Sequence, residues 1–384
     1  MAGIYIHIPF CKSRCTYCAF FSTTNLELRQ RYVKAVCREM EMRGMMWNKE
    51  WGMRNGQNRT GRIDTIYLGG GTPSLLTIQQ LEELFLNINK VWGTSLGDSL
   101  EITIEVNPDD VTESFVSGLH ALPVNRVSMG AQTFSEERLK MLHRRHSASQ
   151  VRTAVERLRN AGIDNLSIDL MYGFPGETLE DWQHDIDAAL SLKPEHLSAY
   201  CLSYEEGTAL YEKMRKGVYT PVDEESERTM YDTLIDRLTA EGFEHYELSN
   251  FARSGYRSRH NSSYWTGVPY IGLGAAAHSF DGQCRSWNVS DLRLYIEGVE
   301  RGERLFEEER LQGDTYYNDR VTVALRTREG LDLAELSAPY RDYSLSQARR
   351  FLKSGLLRLD GDRLCLTREG LFVSDMVMSE LMAV

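Results

Sequence analysis

Along most of the chain, short apolar runs alternate with longer amphipathic ones. "GIYIHIPF" (residues 3–10) is followed by "LELRQRYVKAVCREMEMRGMMW", "IDTIYLGGG" (63–71) by "TIQQLEELFLNINKVW", and "EITIEVNPDD" (101–110) by "TESFVSGLHAL". "RVSMGAQTF" precedes "SASQVRTAVERLRNAG", "NLSIDLMYGFPG" precedes "LEDWQHDIDAALSL", and "HLSAYCLSY" precedes "DEESERTMYDTLIDRLTAEG". The first member of each pair reads as a strand and the second as a helix. Six such units predict an α/β fold with a parallel sheet and crossover helices, and six suit an open partial (β/α)6 barrel better than the closed eight-fold form. The polar, Gly- and Asn-rich stretch 47–62 reads as an exposed loop. From Leu311 the pattern changes. "TYYNDRVTVALRTREG", "DLAEL" and "SQARRFLKSG" read as short helices. "LLRLDGDRLCLT" reads as a hairpin turning at Asp360-Gly361, and "GLFVSDMVMSELM" as a terminal amphipathic helix. These predict a small winged-helix-like domain over 310–384, beside a larger unit over 1–300.

Composition narrows the function classes. With 42% hydrophobic and 26% charged residues in 384, the chain has the balance of a soluble globular protein. No apolar run approaches the roughly 20 residues of a membrane span. The net charge of −11 makes it a poor general binder of nucleic acid, which wants clustered Lys and Arg. Residues 310–384 carry 11 Lys+Arg and 11 Asp+Glu, so packing against the barrel or capping its mouth is expected there rather than DNA reading. Seven cysteines are an odd number, and nothing before Gly3 resembles a signal peptide. A reducing, cytoplasmic compartment is expected.

Three of those cysteines, Cys11, Cys15 and Cys18, lie within eight residues. On a helix their spacing would give one apolar face, but Pro9 and the polar Lys12, Ser13 and Arg14 argue against a helix. Structural zinc wants four ligands, and His7, on the preceding strand, has uncertain convergence. Three thiolates on a four-iron cube leave one iron open, so an iron–sulfur cluster is the preferred reading. In an open parallel sheet, chemistry sits at the carboxyl ends of the strands, where the cysteines, "GGGTPS" (69–74), Glu105, Gln132 and Asp169 all fall. The glycines let backbone approach a ligand closely or simply make a tight turn; the Lys of a phosphate loop is missing. Glu105, Gln132 and Asp169 are polar side chains among apolar strand neighbours. Each alone is explained by structural pairing, but several at adjacent strand ends suggest a shared polar ligand.

Cys-x3-Cys-x2-Cys with an aromatic residue before the last cysteine resembles the radical S-adenosylmethionine (SAM) superfamily. The rest of the chain is similar to its oxygen-independent coproporphyrinogen III oxidase-like family. The resemblance implies a radical-SAM barrel in which Cys11, Cys15 and Cys18 hold a [4Fe–4S] cluster. SAM would chelate the open iron, and one electron would cleave it to a 5′-deoxyadenosyl radical. It also implies SAM contacts at Gly70, Gly71, Thr72, Glu105, Gln132, Arg144 and Asp169, with Tyr5 and Tyr17 at matching positions. Within the family, the oxidases have a longer N-terminal segment and a fourth cysteine two residues after the third. Here that position is Phe20, and ten residues precede Cys11. "HNSSYW" (260–265) instead resembles the HemW-type haem chaperones. That subgroup implies haem as cargo, acceptor haemoproteins such as respiratory cytochromes at the membrane, and a reductant. The other implied activity is oxidative decarboxylation of coproporphyrinogen III. His260 and His278 are candidate axial haem ligands, with structural hydrogen bonding as the competing reading. Tyr264, Trp265 and Tyr270 would either wall a porphyrin or pack in the core. "GLGAAA" (272–277) imitates a dinucleotide fingerprint without its strand–turn–helix setting and reads as a tight packing turn.

Overall fold

A computed structural model describes residues 2–54, 63–94, 97 and 99–384. The expected strands and helices follow in order, with the short α4 and α7 as additions the pattern did not predict: β1 (Ala2–Ile8), α1 (Arg29–Arg54), β2 (Ile63–Gly70), α2 (Ile78–Trp92), β3 (Glu101–Val106), α3 (Glu113–Leu119), β4 (Arg126–Gln132), α4 (Glu136–Met141), α5 (Ala148–Asn160), β5 (Leu166–Tyr172), α6 (Leu179–Ser191), β6 (His196–Cys201), α7 (Ala209–Arg215) and α8 (Glu224–Ala240). The chain then adds β7 (Glu244–Glu247), β8 (Asn250–Ala252), α9 (Arg259–Trp265), β9 (Tyr270–Leu273), β10 (His278–Phe280), β11 (Cys284–Asn288), α10 (Leu292–Glu300) and β12 (Phe306–Arg310).

Strands β1 to β6 pair in parallel, each with the next, as the six-unit pattern requires. The sheet is wider than expected. β9 pairs parallel to β1 through Gly3–Ile6 and Tyr270–Leu273, β10 to β12 continue antiparallel beyond it, and β8 and β7 extend the other end. The "GLGAAA" glycines sit in β9 and the turn after it. A Cβ on Gly274, at φ 100°, would run into Tyr32 Oη at 2.2 Å, which is why the turn needs glycine.

Local signals start and stop the crossover helices. α2, α5 and α6 each open on a reciprocal capping box, Thr77/Gln80, Ser147/Gln150 and Thr178/Asp181, and α2 ends on left-handed Gly93. Their apolar faces bury against the outer face of the sheet, in a core that includes Leu81, Leu84, Val151, Leu158, Trp182 and Ile186.

Two expectations shift. Residues 47–54 belong to α1 rather than to an exposed loop, and the remainder of that stretch, 55–62, lies outside the described residues. Polarity misled here, because Lys49, Glu50, Met53 and Arg54 are good helix formers and no proline interrupts the run. The hairpin turns one residue later than expected. Asp360 pairs with Arg363, so Gly361 (φ 60°) and Asp362 form the two-residue turn.

The C-terminal part comprises α11 (Asp314–Ala324), β13 (Leu331–Asp332), α12 (Ala338–Lys353), β14 (Leu357–Asp360), β15 (Arg363–Leu366), α13 (Arg368–Phe372) and α14 (Ser374–Leu381). Its three strands make a separate sheet around a core of Tyr317, Val321, Leu325, Phe351, Leu364, Val377 and Leu381. This unit packs against the β7 end of the large sheet. Glu247 and Thr327 form a β-bridge, Arg328 meets Glu244 at 2.7 Å, and Arg368 meets Asp232 at 2.9 Å.

Candidate cluster and SAM site

The loop after β1 is fastened at its neck and its middle. Cys11 N–H donates to Thr23 O at 2.9 Å, and Thr23 N–H donates to Pro9 O at 2.7 Å. Thr16 N–H donates to Leu142 O at 3.1 Å and its hydroxyl to Met141 O at 3.0 Å, while Thr16 O accepts from Leu210 N–H. His7 Nε2 donates to Phe21 O at 2.9 Å, which leaves Nδ1 to accept from the Tyr5 hydroxyl at 2.9 Å. Cys11, Cys15 and Cys18 are free, half-buried thiols on the wall of one cavity of about 560 Å³.

The glycine turn after β2 braces this loop. Gly71 N–H donates to Ile8 O at 2.8 Å, and a Cβ on Gly71 would lie 2.9 Å from Phe10 O. Thr72 Oγ1 lies 3.7 Å from Cys11 Sγ. Gly70, at φ 111°, donates its N–H to Glu105 Oε2 at 3.0 Å, and the Tyr67 hydroxyl donates to Oε1 at 2.7 Å. Burial pushes the Glu105 carboxyl up to about 7, against those two hydrogen bonds. Asp169 accepts from Ser128 Oγ at 3.2 Å and from Ser167 Oγ at 3.2 Å; burial raises its pKa as well.

Gln132 ends β4 at φ 67°, beside a register shift after Gly130. A non-glycine residue in this conformation marks local strain of the kind found at functional sites. Arg144 donates to Asn107 Oδ1 and to Gly130 O, both at 2.6 Å, and its Nη1 lies 3.7 Å from Cys15 Sγ. Its Nε is buried with no partner among the described residues. The neighbouring Arg145 is taken up by ion pairs to Asp109 at 2.6 Å and Asp110 at 3.2 Å, which separates the roles of the two arginines.

Cys11, Cys15, Cys18, Tyr17, Gly70, Gly71, Thr72, Glu105, Gln132, Arg144 and Asp169 thus line one cavity. The donor set fits the group the resemblance implies. Three thiols on a fastened loop face a space of ligand size, and an unsatisfied guanidinium nitrogen and two carboxyls lie on its other walls. Among the described residues, no three His, Cys, Asp or Glu side chains are grouped to hold a single metal ion.

Tyr5, His260 and His278 do not line the cavity. Tyr5 lies deeper in the barrel, its ring 6.2 Å from Tyr67 and 6.4 Å from His260. His260 is 1% exposed, with Nδ1 2.8 Å from Thr65 Oγ1 and Nε2 2.8 Å from Tyr264 Oη. Backbone N–H groups of Arg259 and His260 donate to Glu101, each at 2.9 Å. His260 is therefore fully hydrogen-bonded in place. His278 is exposed on β10, stacked on Trp287 at 5.7 Å. Tyr264 packs edge-on against Tyr270 at 4.6 Å, so these two rings fill core rather than form an open wall.

Sequence reasoning missed Tyr67, Asn107, Ser128, Ser198 and Tyr200, and below them the buried Arg126. The signal was a second alternation. Glu101, Thr103 and Glu105 share one face of β3, Arg126 and Ser128 one face of β4, and His196, Ser198 and Tyr200 one face of β6. Strands buried on both faces are normally apolar throughout, so a polar inner row marks a lined interior.

A family model for the radical SAM superfamily matches residues 5–189, and one for the HemN C-terminal domain matches 311–373. The chain is 36% identical over 343 residues to heme chaperone HemW of Bacillus subtilis, covering 88% of this chain and 87% of that one. It is 34% identical over 388 residues to heme chaperone HemW of Mycobacterium tuberculosis, covering 99% and 94%. Among solved structures, coproporphyrinogen III oxidase (HemN) from Escherichia coli superposes with a TM-score of 0.83 at 22% identity, over 100% of this chain and 90% of that one. At that identity the superposition speaks for the fold, and the near full-length similarity to the chaperones speaks for the family. The chain belongs to the HemW family of the radical SAM superfamily.

Proposed function

We propose that the protein is a haem chaperone that binds haem and hands it to acceptor haemoproteins, such as respiratory cytochromes. The near full-length similarity to chaperones of that name carries this reading. Phe20 adds to it. The oxidases of the wider family are expected to have a cysteine there, whereas this chain puts an aromatic ring, 68% exposed, on the cavity wall. Cys11, Cys15 and Cys18 would hold a [4Fe–4S] cluster, and Glu105, Gln132, Arg144 and Asp169 would hold SAM beside it. When bound, that pair supplies one-electron chemistry at the sulfonium, fed by a reductant. The chain's own contribution is to fasten the cysteine loop, to aim two carboxyls and a guanidinium into the cavity, and to brace the loop with the glycine turn. Of the two histidines considered as haem ligands, His278 offers an exposed ring, whereas His260 would have to give up two hydrogen bonds. No helix among the described residues is long and apolar enough to cross a membrane. The placement expected is cytoplasmic, meeting membrane acceptors from the side.

The test is anaerobic reconstitution, followed by parallel titration with haem and incubation with coproporphyrinogen III, SAM and a reductant. Stoichiometric haem binding without porphyrinogen turnover is expected. Repeated conversion to protoporphyrinogen IX would replace this reading with that of an oxidase.

A further inference from the structure

Arg126 opens β4 and is among the largest fully buried side chains, at 1% exposure. It makes no ion pair among the described residues, and its Nε and Nη1 have no hydrogen-bond partner there. A buried, unpaired guanidinium is costly and wants an explanation. The register supplies one. Arg126 stands beside Thr103 and Ser128 beside Glu105 across the β3–β4 pair, and Gly130 stands beside Asp169 across β4–β5. Strand alternation puts Arg126 and Ser128 on the face shared by Thr103 and Glu105. Ser128 Oγ in turn reaches both oxygens of Asp169 at 3.2 Å. Arg126 thus lies one residue layer below Glu105 and two below Asp169, without lining the cavity itself.

We infer that Arg126 is a positioning residue that biases Glu105 and Asp169 toward their carboxylate forms, and so toward binding the polar groups of SAM. The inference rests on the SAM reading proposed above. The other titratable groups near this layer come from several walls: Tyr67 of β2, Glu101 of β3, His196 of β6, Tyr246 of β7 and His260 of α9. None of them supplies a competing cation. His196 and His260 are both held neutral, by burial first and then by Arg126 itself. Glu101 is occupied by the backbone N–H groups that open α9. Burial raises both carboxyls, and the Arg126 charge opposes that rise at each. Without Arg126 that rise would go unopposed from below, and Glu105, already at about 7, would hold its proton to higher pH.

The experiment measures SAM affinity of the cluster-reconstituted protein by calorimetry across pH, for the parent, Arg126→Met and Arg126→Lys. Removing the cation removes what holds the carboxyl pKa values down. Arg126→Met is therefore expected to lose affinity near neutral pH, by about tenfold for each unit its carboxyls rise, and to recover as pH is raised. Arg126→Lys should keep the parent profile. A parent that binds no SAM would sink the SAM reading itself. A parent that binds, with an Arg126→Met profile that superposes on it or is lowered equally at every pH, would overturn the inference alone. If Arg126→Met does not fold, the double variant Arg126→Met/Glu105→Gln, which removes one carboxylate together with the cation, is expected to fold; its failure would also overturn the inference.

Discussion

Gly71 has no room for a side chain. Its Cβ would meet Phe10 O and Pro9 C at 2.9 Å and Ile8 O at 3.0 Å, all backbone of the strand end that launches the cysteine loop. Gly71→Ala is expected to cost roughly 1–3 kcal/mol by overpacking, and to lower iron incorporation on reconstitution; unchanged iron content would show that the brace is dispensable. Glu105→Ala and Asp169→Ala should each weaken SAM binding by about 1.5–3 kcal/mol, the worth of hydrogen bonds to a charged group, in a calorimetric titration. The buried glutamates also make a pH prediction. Glu105, Glu177 and Glu247 are each pushed up to about 7 by burial from an ordinary 4.5. The folded state then holds protons that the unfolded chain has released, so these groups favour folding below 4.5 and lose that contribution as pH rises to about 7. Buried histidines such as His245 and His260, lowered to about 4 and about 3, pull the other way, so the test is differential: Glu247→Gln, which keeps the shape without the charge, should gain melting temperature relative to the parent as pH rises from about 4.5 to about 7. Glu105, Gln132 and Asp169 were legible in the sequence because each is a polar residue toward the end of an apolar strand. Ser128 and Arg126 were not, because serine and arginine early in a strand look like its solvent edge until the closed side of the sheet is seen.

At the scale of elements, the cysteine loop and α9 show two different uses of histidine. His7 ties the loop's exit at Phe21 to Tyr5, whereas His260 ties α9 to β2 through Thr65. His260→Ala would leave the Thr65 and Tyr264 hydroxyls unpaired in a buried place and open a void, at a cost of about 2–4 kcal/mol. His278→Ala, at an exposed site, should change stability by less than about 0.5 kcal/mol. Thermal or urea unfolding of the two variants checks this, and equal losses would contradict the packing described. The six β–α units could be read directly from alternating runs and helix-start residues. β9 could not, because pairing "YIGL" with β1 is a contact between residues more than 260 positions apart that no local pattern encodes. The extension of α1 was missed for the opposite reason: local polarity was taken for a loop although Lys49, Glu50, Met53 and Arg54 favour helix.

The whole molecule has two main hydrophobic cores, joined by the ion pairs Arg328–Glu244, Arg257–Glu329 and Arg368–Asp232 and by a few partly buried apolar residues, Leu371 and Phe372 against the large core and Leu248 against the small one. Partly exposed ion pairs of this kind are worth about 0–1 kcal/mol each. A chain ending at 310 is therefore expected to keep its barrel and to reconstitute its cluster; failure to fold would mean that the small unit completes the large core. No C-terminal residue lines the cavity, so the small unit flanks the barrel rather than caps it. If the proposed function is right, haem passes through this protein unchanged. The direct measurement is to load the reconstituted protein with one equivalent of haem, remove free haem, add an excess of apo-cytochrome, and follow the absorption spectrum together with the porphyrin recovered at the end. The Soret band is expected to move to that of the holo-cytochrome, with intact haem recovered in full. Haem that stays on the protein, or never binds it, would rule out haem transfer.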